Sequence, residues 1–123
     1  MTIDEMQRML EELIGEIPPE LMRDLNGGVL LLPEAKLHEK SVDDDYYILG
    51  EYFYGGPLGR YIAIYYGSFM AVYGREPSRR VRARLLRTLR HELLHHIESL
   101  AGVRDLEEED AVDLARYLDS KNG

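Results

Sequence analysis

A chain of 123 residues with 45% hydrophobic and 31% charged side chains can bury one core and is too short for two ordinary domains. Its net charge of -8 argues against nucleic acid as a partner, because attraction to phosphate dominates such binding. The absence of cysteine excludes disulfides, thiolate metal sites and thiol nucleophiles, so any metal must be held by His, Asp or Glu. The first residues carry no basic leader, and no apolar run has membrane-spanning length, so a cytoplasmic domain covering residues 1–123 with no membrane partner is expected.

Thr2 followed three residues later by Glu5 is a capping box, and Ile3, Met6, Met9, Leu10, Leu13, Ile14 and Ile17 recur at helical spacing. They predict a first helix ending near Gly15. Pro18-Pro19-Glu20 opens a short second helix, which Asn26-Gly27-Gly28 stops. The apolar run 29–32, closed by Pro33, has the length of a buried strand. Residues 34–45 are polar, and Asp43-Asp44-Asp45 reads as a solvated loop in preference to a cation site. Aromatic-rich stretches 46–54 and 61–66 predict two strands, paired antiparallel across the turn Gly55-Gly56-Pro57-Leu58-Gly59. The tyrosines at 46, 47, 52, 54, 61, 65 and 66 are read mainly as cross-strand packing; the alternative is a groove lining that includes an oxyanion stabiliser. Residues 69–73 fit either a short helix or irregular chain.

A long helix is then predicted from Ser78, as N-cap, to about Ala101, with Gly102 as a left-handed stop. Leu85, Leu86, Leu89, Leu93, Ile97 and Leu100 form its apolar stripe. On the other side lie His91, His95, Glu98 and Arg87. Within this helix His91-Glu92-Leu93-Leu94-His95 is an HExxH sequence. Two imidazoles at i and i+4 are about 40° apart around the axis and about 6 Å apart along it, so both can grip one zinc ion. Glu92, about 100° round from His91, flanks the pair, where a carboxylate can act as general base without being a ligand. His96 turns toward the core and reads as a packed or hydrogen-bonded histidine. His38 has no assigned role.

A catalytic zinc site takes a third protein ligand. Asp105 and Glu98 compete for that position. Asp105 follows the Gly102 turn, but it is also a good N-cap, with Glu108, for a last helix through Ala111, Leu114, Ala115 and Leu118. Glu98 shares the histidine face and leans back toward it, yet three ligands from one straight helix make a poor tetrahedron.

Beyond the motif, Ile17-Pro18-Pro19-Glu20-Leu21, Leu49-Gly50-Glu51-Tyr52, Gly56-Pro57-Leu58 and Ile62-Ala63-Ile64-Tyr65 follow in order, and together the chain resembles the bacterial minimal zincin, or zincin-like metallopeptidase, family. That family's HExxHHxGxxD pattern is departed from by four additional residues, Glu98-Ser99-Leu100-Ala101, ahead of Gly102-Val103-Arg104-Asp105. The resemblance implies an α+β zincin-like fold: N-terminal helices, a small three-stranded sheet free to be mixed, the long HExxH helix and a C-terminal helix. It implies one Zn²⁺ per chain on His91 and His95, Glu92 as general base, and cleavage of peptide or protein substrates by metal-activated water. In larger zincins an edge strand holds the peptide, and residues 61–66 are the expected counterpart. The competing reading is a non-catalytic, metal-stabilised interaction domain; a third, a metal-dependent ribonuclease, is disfavoured by the acidic charge.

Overall fold

Thr2 starts the first helix as its sequence demands. In α1 (Ile3–Gly15) the Thr2 hydroxyl accepts the Glu5 N–H at 3.1 Å and the Glu5 carboxylate accepts the Thr2 N–H at 2.9 Å. These bonds to Thr2 hold the Glu5 carboxyl below its ordinary pKa. The computed structural model describes residues 1–102 and Tyr117. Asp105 and the expected C-terminal helix lie outside the described residues.

The second helix is shorter than expected, a single 3-10 turn at Pro19–Met22. Arg23 already has ψ 137, and Asp24 follows in the left-handed region at φ 63, so the helix cannot propagate. Five strands follow: β1 (Gly28–Leu32), β2 (Lys36–Leu37), β3 (Tyr47–Ile48), β4 (Gly50–Gly56) and β5 (Gly59–Tyr65). The three-stranded sheet has the order β1-β5-β4, with β1 parallel and β4 antiparallel to β5; β2 and β3 form a separate antiparallel ribbon. The expected antiparallel pair is therefore present, and the sheet is mixed. β1 is half-buried along its length, where a fully buried strand was expected, because as an edge strand it is flanked by β5 alone.

β5 occupies the centre. Ile62 and Ile64 point to the helices, Ala63 and Tyr65 to the opposite face, and all four are buried. Residues 66–73, left open by their sequence, form α2 (Tyr66–Tyr73), which buries Phe69 in the core and Ser68 beside the β2 backbone. The long helix α3 (Ser78–Ala101) follows. Its N-cap is Pro77, with ψ 153, and Ser78 is already helical; the Pro77 carbonyl accepts the first bonds, from Arg80 and Val81. Gly102 ends it with right-handed dihedrals of φ -68 and ψ -15, not with the expected left-handed turn.

Leu85, Leu89, Leu93, Ile97 and Leu100 of α3 pack with Met6, Leu10 and Leu13 of α1 and with Ile62 and Ile64 in one apolar cluster. Each such burial is worth about 1.5–3 kcal/mol relative to exposure. Leu86, assigned to the same stripe, is only partly buried at its edge. Among the strands α3 lies closest along β4, and the candidate site sits in that seam. No helix among the described residues is long and apolar enough to cross a membrane.

Candidate metal centre

The core stripe of α3 turns His91 and His95 outward, and both are exposed. Their rings meet edge to face at an interplanar angle of 84°, with the two Nε2 atoms 3.2 Å apart. Two zinc–nitrogen bonds of about 2.0–2.1 Å at a tetrahedral angle put their nitrogens about 3.3–3.4 Å apart. The observed separation lies within about 0.2 Å of that value. With Nε2 of each ring free of its proton, the two side chains would fit a divalent ion of zinc's preferences.

Glu92 sits differently. It is 8% exposed and lies at the boundary of two grooves that meet along the seam between β4 and α3. One, of about 800 Å³, runs from Glu92 and His91 past Thr88, Arg87 and Arg84 to Tyr46, Tyr47 and Tyr73. The other, of about 570 Å³, runs from Glu92 and His95 past Tyr52 and Tyr54 to Glu98 and Ser99. The carboxylate is thus shared by both halves of a continuous trough, with one histidine in each half.

Where the two grooves meet, Gly50 lets β4 touch α3. A Cβ on Gly50 would stand 2.8 Å from the Thr88 methyl carbon and 3.3 Å from the Ala63 carbonyl oxygen, so a side chain there meets occupied space. Thr88 is one helical turn before Glu92. The close approach therefore brings the β4 backbone over the motif.

One further element fixes the seam. His96 is fully buried; its Nε2 lies 2.8 Å from the Arg23 carbonyl and its Nδ1 2.9 Å from the Tyr52 hydroxyl. A carbonyl only accepts, so Nε2 carries the proton and Nδ1 accepts from Tyr52. Tyr52 in turn accepts from Arg60 at 2.9 Å, and Arg60 also donates to Ser99. Burial, reinforced by the Arg60 charge and opposed by the bond to Arg23, pushes the His96 pKa down and keeps the ring neutral. The network ties β4 and β5 to α3 beside His95, as the packed reading of His96 anticipated.

Glu98 does not join the histidines. It is exposed in the second half of the trough, and among the described residues no three His, Asp or Glu side chains form a metal-binding group. The reason is reach, since Glu98 stands about 4.5 Å further along the axis than His95. Asp105 lies outside the described residues, so His91 and His95 are the donors the structure brings together.

Residues 61–66 cannot hold a peptide edge-on. β5 is paired on both sides, and among the described residues the edge beside α3 and the site belongs to β4. The Tyr65 N–H donates to the Leu49 carbonyl at 2.9 Å, which marks that pair as hydrogen-bonded. The alternation of an antiparallel ladder then directs the N–H and C=O of Gly50 and Tyr52 outward. The tyrosines divide accordingly. Tyr46, Tyr47, Tyr52 and Tyr54 line the trough, Tyr61 stacks on Phe53 at 4.8 Å on the opposite face, Tyr65 donates to Glu51 at 2.7 Å, and the Tyr66 hydroxyl donates to the Met1 carbonyl. His38 stacks on Tyr46 at 4.6 Å and lines the trough as well. Gly50, Thr88, Arg60 and Ser99 were missed from the sequence. Only Gly50 left a trace there, as an isolated glycine within a strand pattern, which signals close backbone approach.

No protein-family model and no curated protein matches the chain. Among solved structures it is similar to a conserved hypothetical protein of Thermus thermophilus, with 38% identity over 84% of this chain and 100% of that one and a TM-score of 0.74. At that identity and coverage, the chain belongs to the family of this conserved hypothetical protein.

Proposed function

We propose that the chain is a zinc-dependent metallopeptidase of minimal zincin-like fold, acting on peptide or protein substrates in the cytoplasm. The observation that carries the reading is the pair of Nε2 atoms 3.2 Å apart, with Glu92 lining both grooves beside them. His91 and His95 would hold the ion; Asp105 is then the candidate for its third ligand, because Glu98 stands apart from the pair. When bound, the ion supplies a Lewis acid that polarises the scissile carbonyl and makes water acidic enough to attack near neutrality.

The chain's own groups supply the rest. An extended peptide pairs with the outward N–H and C=O groups of Gly50 and Tyr52, which aligns its backbone along the trough. Glu92, mostly shielded from solvent, takes a proton from the attacking water and returns it to the departing amine. The network from Arg23 through His96, Tyr52 and Arg60 to Ser99 keeps the edge strand at a fixed height above the histidines.

Replacing Glu92 by Gln keeps shape and removes the base. Zinc-loaded wild-type protein is expected to cleave a mixed peptide library, and the variant to lose at least about a hundredfold in rate, the scale of general-base catalysis. Equal cleavage by both would end the proposed mechanism. The exposure of both histidines favours one second reading, a metal-stabilised interaction domain; its signature is a chelator-induced fall in melting temperature with no turnover of the library.

A further inference from the structure

The two halves of the trough differ in charge. Seven arginines and one acidic residue, Glu76, fall between positions 75 and 90 of a chain whose net charge is -8, so positive charge is concentrated on the first half of α3. Arg82 is engaged by Glu16 at 2.6 Å and Arg80 stands 3.7 Å from Glu76. Arg84 and Arg87 are different. Among the described residues neither has a carboxylate within pairing distance, and both line the His91 half of the trough. Arg84 is braced with its guanidinium 5.6 Å over the Tyr73 ring, another lining residue. Among the described residues Glu92 is the only acidic side chain lining that half, whereas the His95 half is lined by Glu51, Glu92 and Glu98, with Arg60 held behind it on Tyr52, Tyr54 and Ser99.

Two guanidinium groups with no carboxylate partner among the described residues, beside an aromatic wall, form a receptor for a carboxylate. From the midpoint of His91 and His95 to Arg87 is about 9 Å along α3. An extended peptide advances about 3.3 Å per residue. We infer that Arg84 and Arg87 form a carboxylate subsite at the His91 end of the trough, which selects peptides with an acidic group about three residues from the bond that is cut. This inference rests on the peptidase reading for the identity of the ligand. The carboxylate is supplied by an Asp or Glu side chain or by the peptide's own C-terminus.

Binding separates the inference from turnover. Fluorescence polarisation is measured on the Glu92→Gln chain, with zinc and after chelation, using four labelled heptapeptides of one scaffold: glutamate-bearing, lysine-bearing, glutamine-bearing, and glutamine-bearing with a free C-terminal carboxylate, the first three amidated. The glutamate peptide, the free-carboxylate peptide or both should bind about fivefold more tightly than the amidated neutral one, and the advantage should shrink as salt is raised. A gain confined to the glutamate peptide assigns a side-chain carboxylate; one confined to the free-carboxylate peptide assigns the terminus. Arg84→Gln and Arg87→Gln should each reduce the advantage and together abolish it, while Arg8→Gln, the same charge change as either single replacement at an exposed position on α1, should leave it intact. Equal binding of all four peptides, or an advantage that survives the double arginine variant, overturns the subsite. Wild-type cleavage is scored separately. Charge-selective binding without cleavage defeats the peptidase reading alone, and cleavage without charge-selective binding defeats the subsite alone.

Discussion

Gly50→Ala tests whether contact between β4 and α3 sets the height of the trough. Gly50 is not among the glycines with positive φ, so alanine meets no backbone objection there. Space is the issue. The added methyl would lie 2.8 Å from the Thr88 Cγ2, 3.1 Å from the Ile64 Cδ1 and 3.3 Å from the Ala63 carbonyl oxygen. The Ile64 methyl ends a flexible side chain and can swing aside. Thr88 cannot easily do so, because its hydroxyl donates to the Arg84 carbonyl at 3.0 Å and a β-branched residue in a helix has few rotamers. Carbon atoms pack comfortably at about 3.5–4.0 Å, so strand and helix must part by roughly 0.7–1.2 Å. Such overpacking costs about 1–3 kcal/mol, and the reduced freedom of the unfolded chain returns about 0.4–1 kcal/mol. A net loss of about 1–2 kcal/mol is expected. Thr88→Ser deletes the obstructing methyl and keeps the hydroxyl, so in that background Gly50→Ala should cost about 0.5 kcal/mol or less. Urea unfolding of the four proteins, with unchanged m-values, gives the coupling as a double-mutant cycle. An identical cost in both backgrounds would refute contact with Thr88 as the reason for glycine.

Zinc at about a hundred times its Kd should stabilise the wild-type chain by about 2.7 kcal/mol, and His91→Asn or His95→Asn should each remove most of that gain; thermal melts with and without zinc read it, and an undiminished shift in both variants would rule out the pair as ligands. Tyr65 is 4% exposed, and burial, with its bond to Glu51, pushes its phenol pKa from 10.0 up to about 12. The folded value is the higher one, so this contribution is complete below pH 10 and is lost between about pH 10 and 12, amounting to roughly 2–3 kcal/mol. Stability followed by denaturant titration across that range should fall less steeply in Tyr65→Phe, and parallel curves for the two proteins would refute the assignment.

Local chemistry was the part of this molecule that could be read from its sequence. The Thr2–Glu5 capping box, the apolar stripe of α3, the outward pair His91 and His95 and the inward His96 depend on neighbours three to five residues away, and the pattern of side chains specifies them. What depends on distant segments was not visible. Residues 61–66 have the composition of a strand wherever it lies in a sheet, so nothing in them marks β5 as the centre and β4 as the edge. The Arg60–Tyr52–His96 network joins three elements up to 44 positions apart. Arg84 and Arg87 resemble any other solvated arginines until the fold sets Arg84 over Tyr73 and lines one groove with both of them, Tyr46 and Tyr47. Gly102, a glycine after a helix, suggested a left-handed stop by frequency alone, and its φ of -68 shows that a glycine permits that conformation without requiring it.

The flank of β4 that has no strand partner among the described residues also bears on how copies of this chain coexist at high concentration. Main-chain donors and acceptors left without a strand partner can pair with the same flank of another copy, and such zipping is a common route to insoluble assemblies. Mutual repulsion between molecules of net charge -8 is the available safeguard. Acidification weakens that safeguard as carboxylates take up protons, so self-association along this flank should increase as the pH falls.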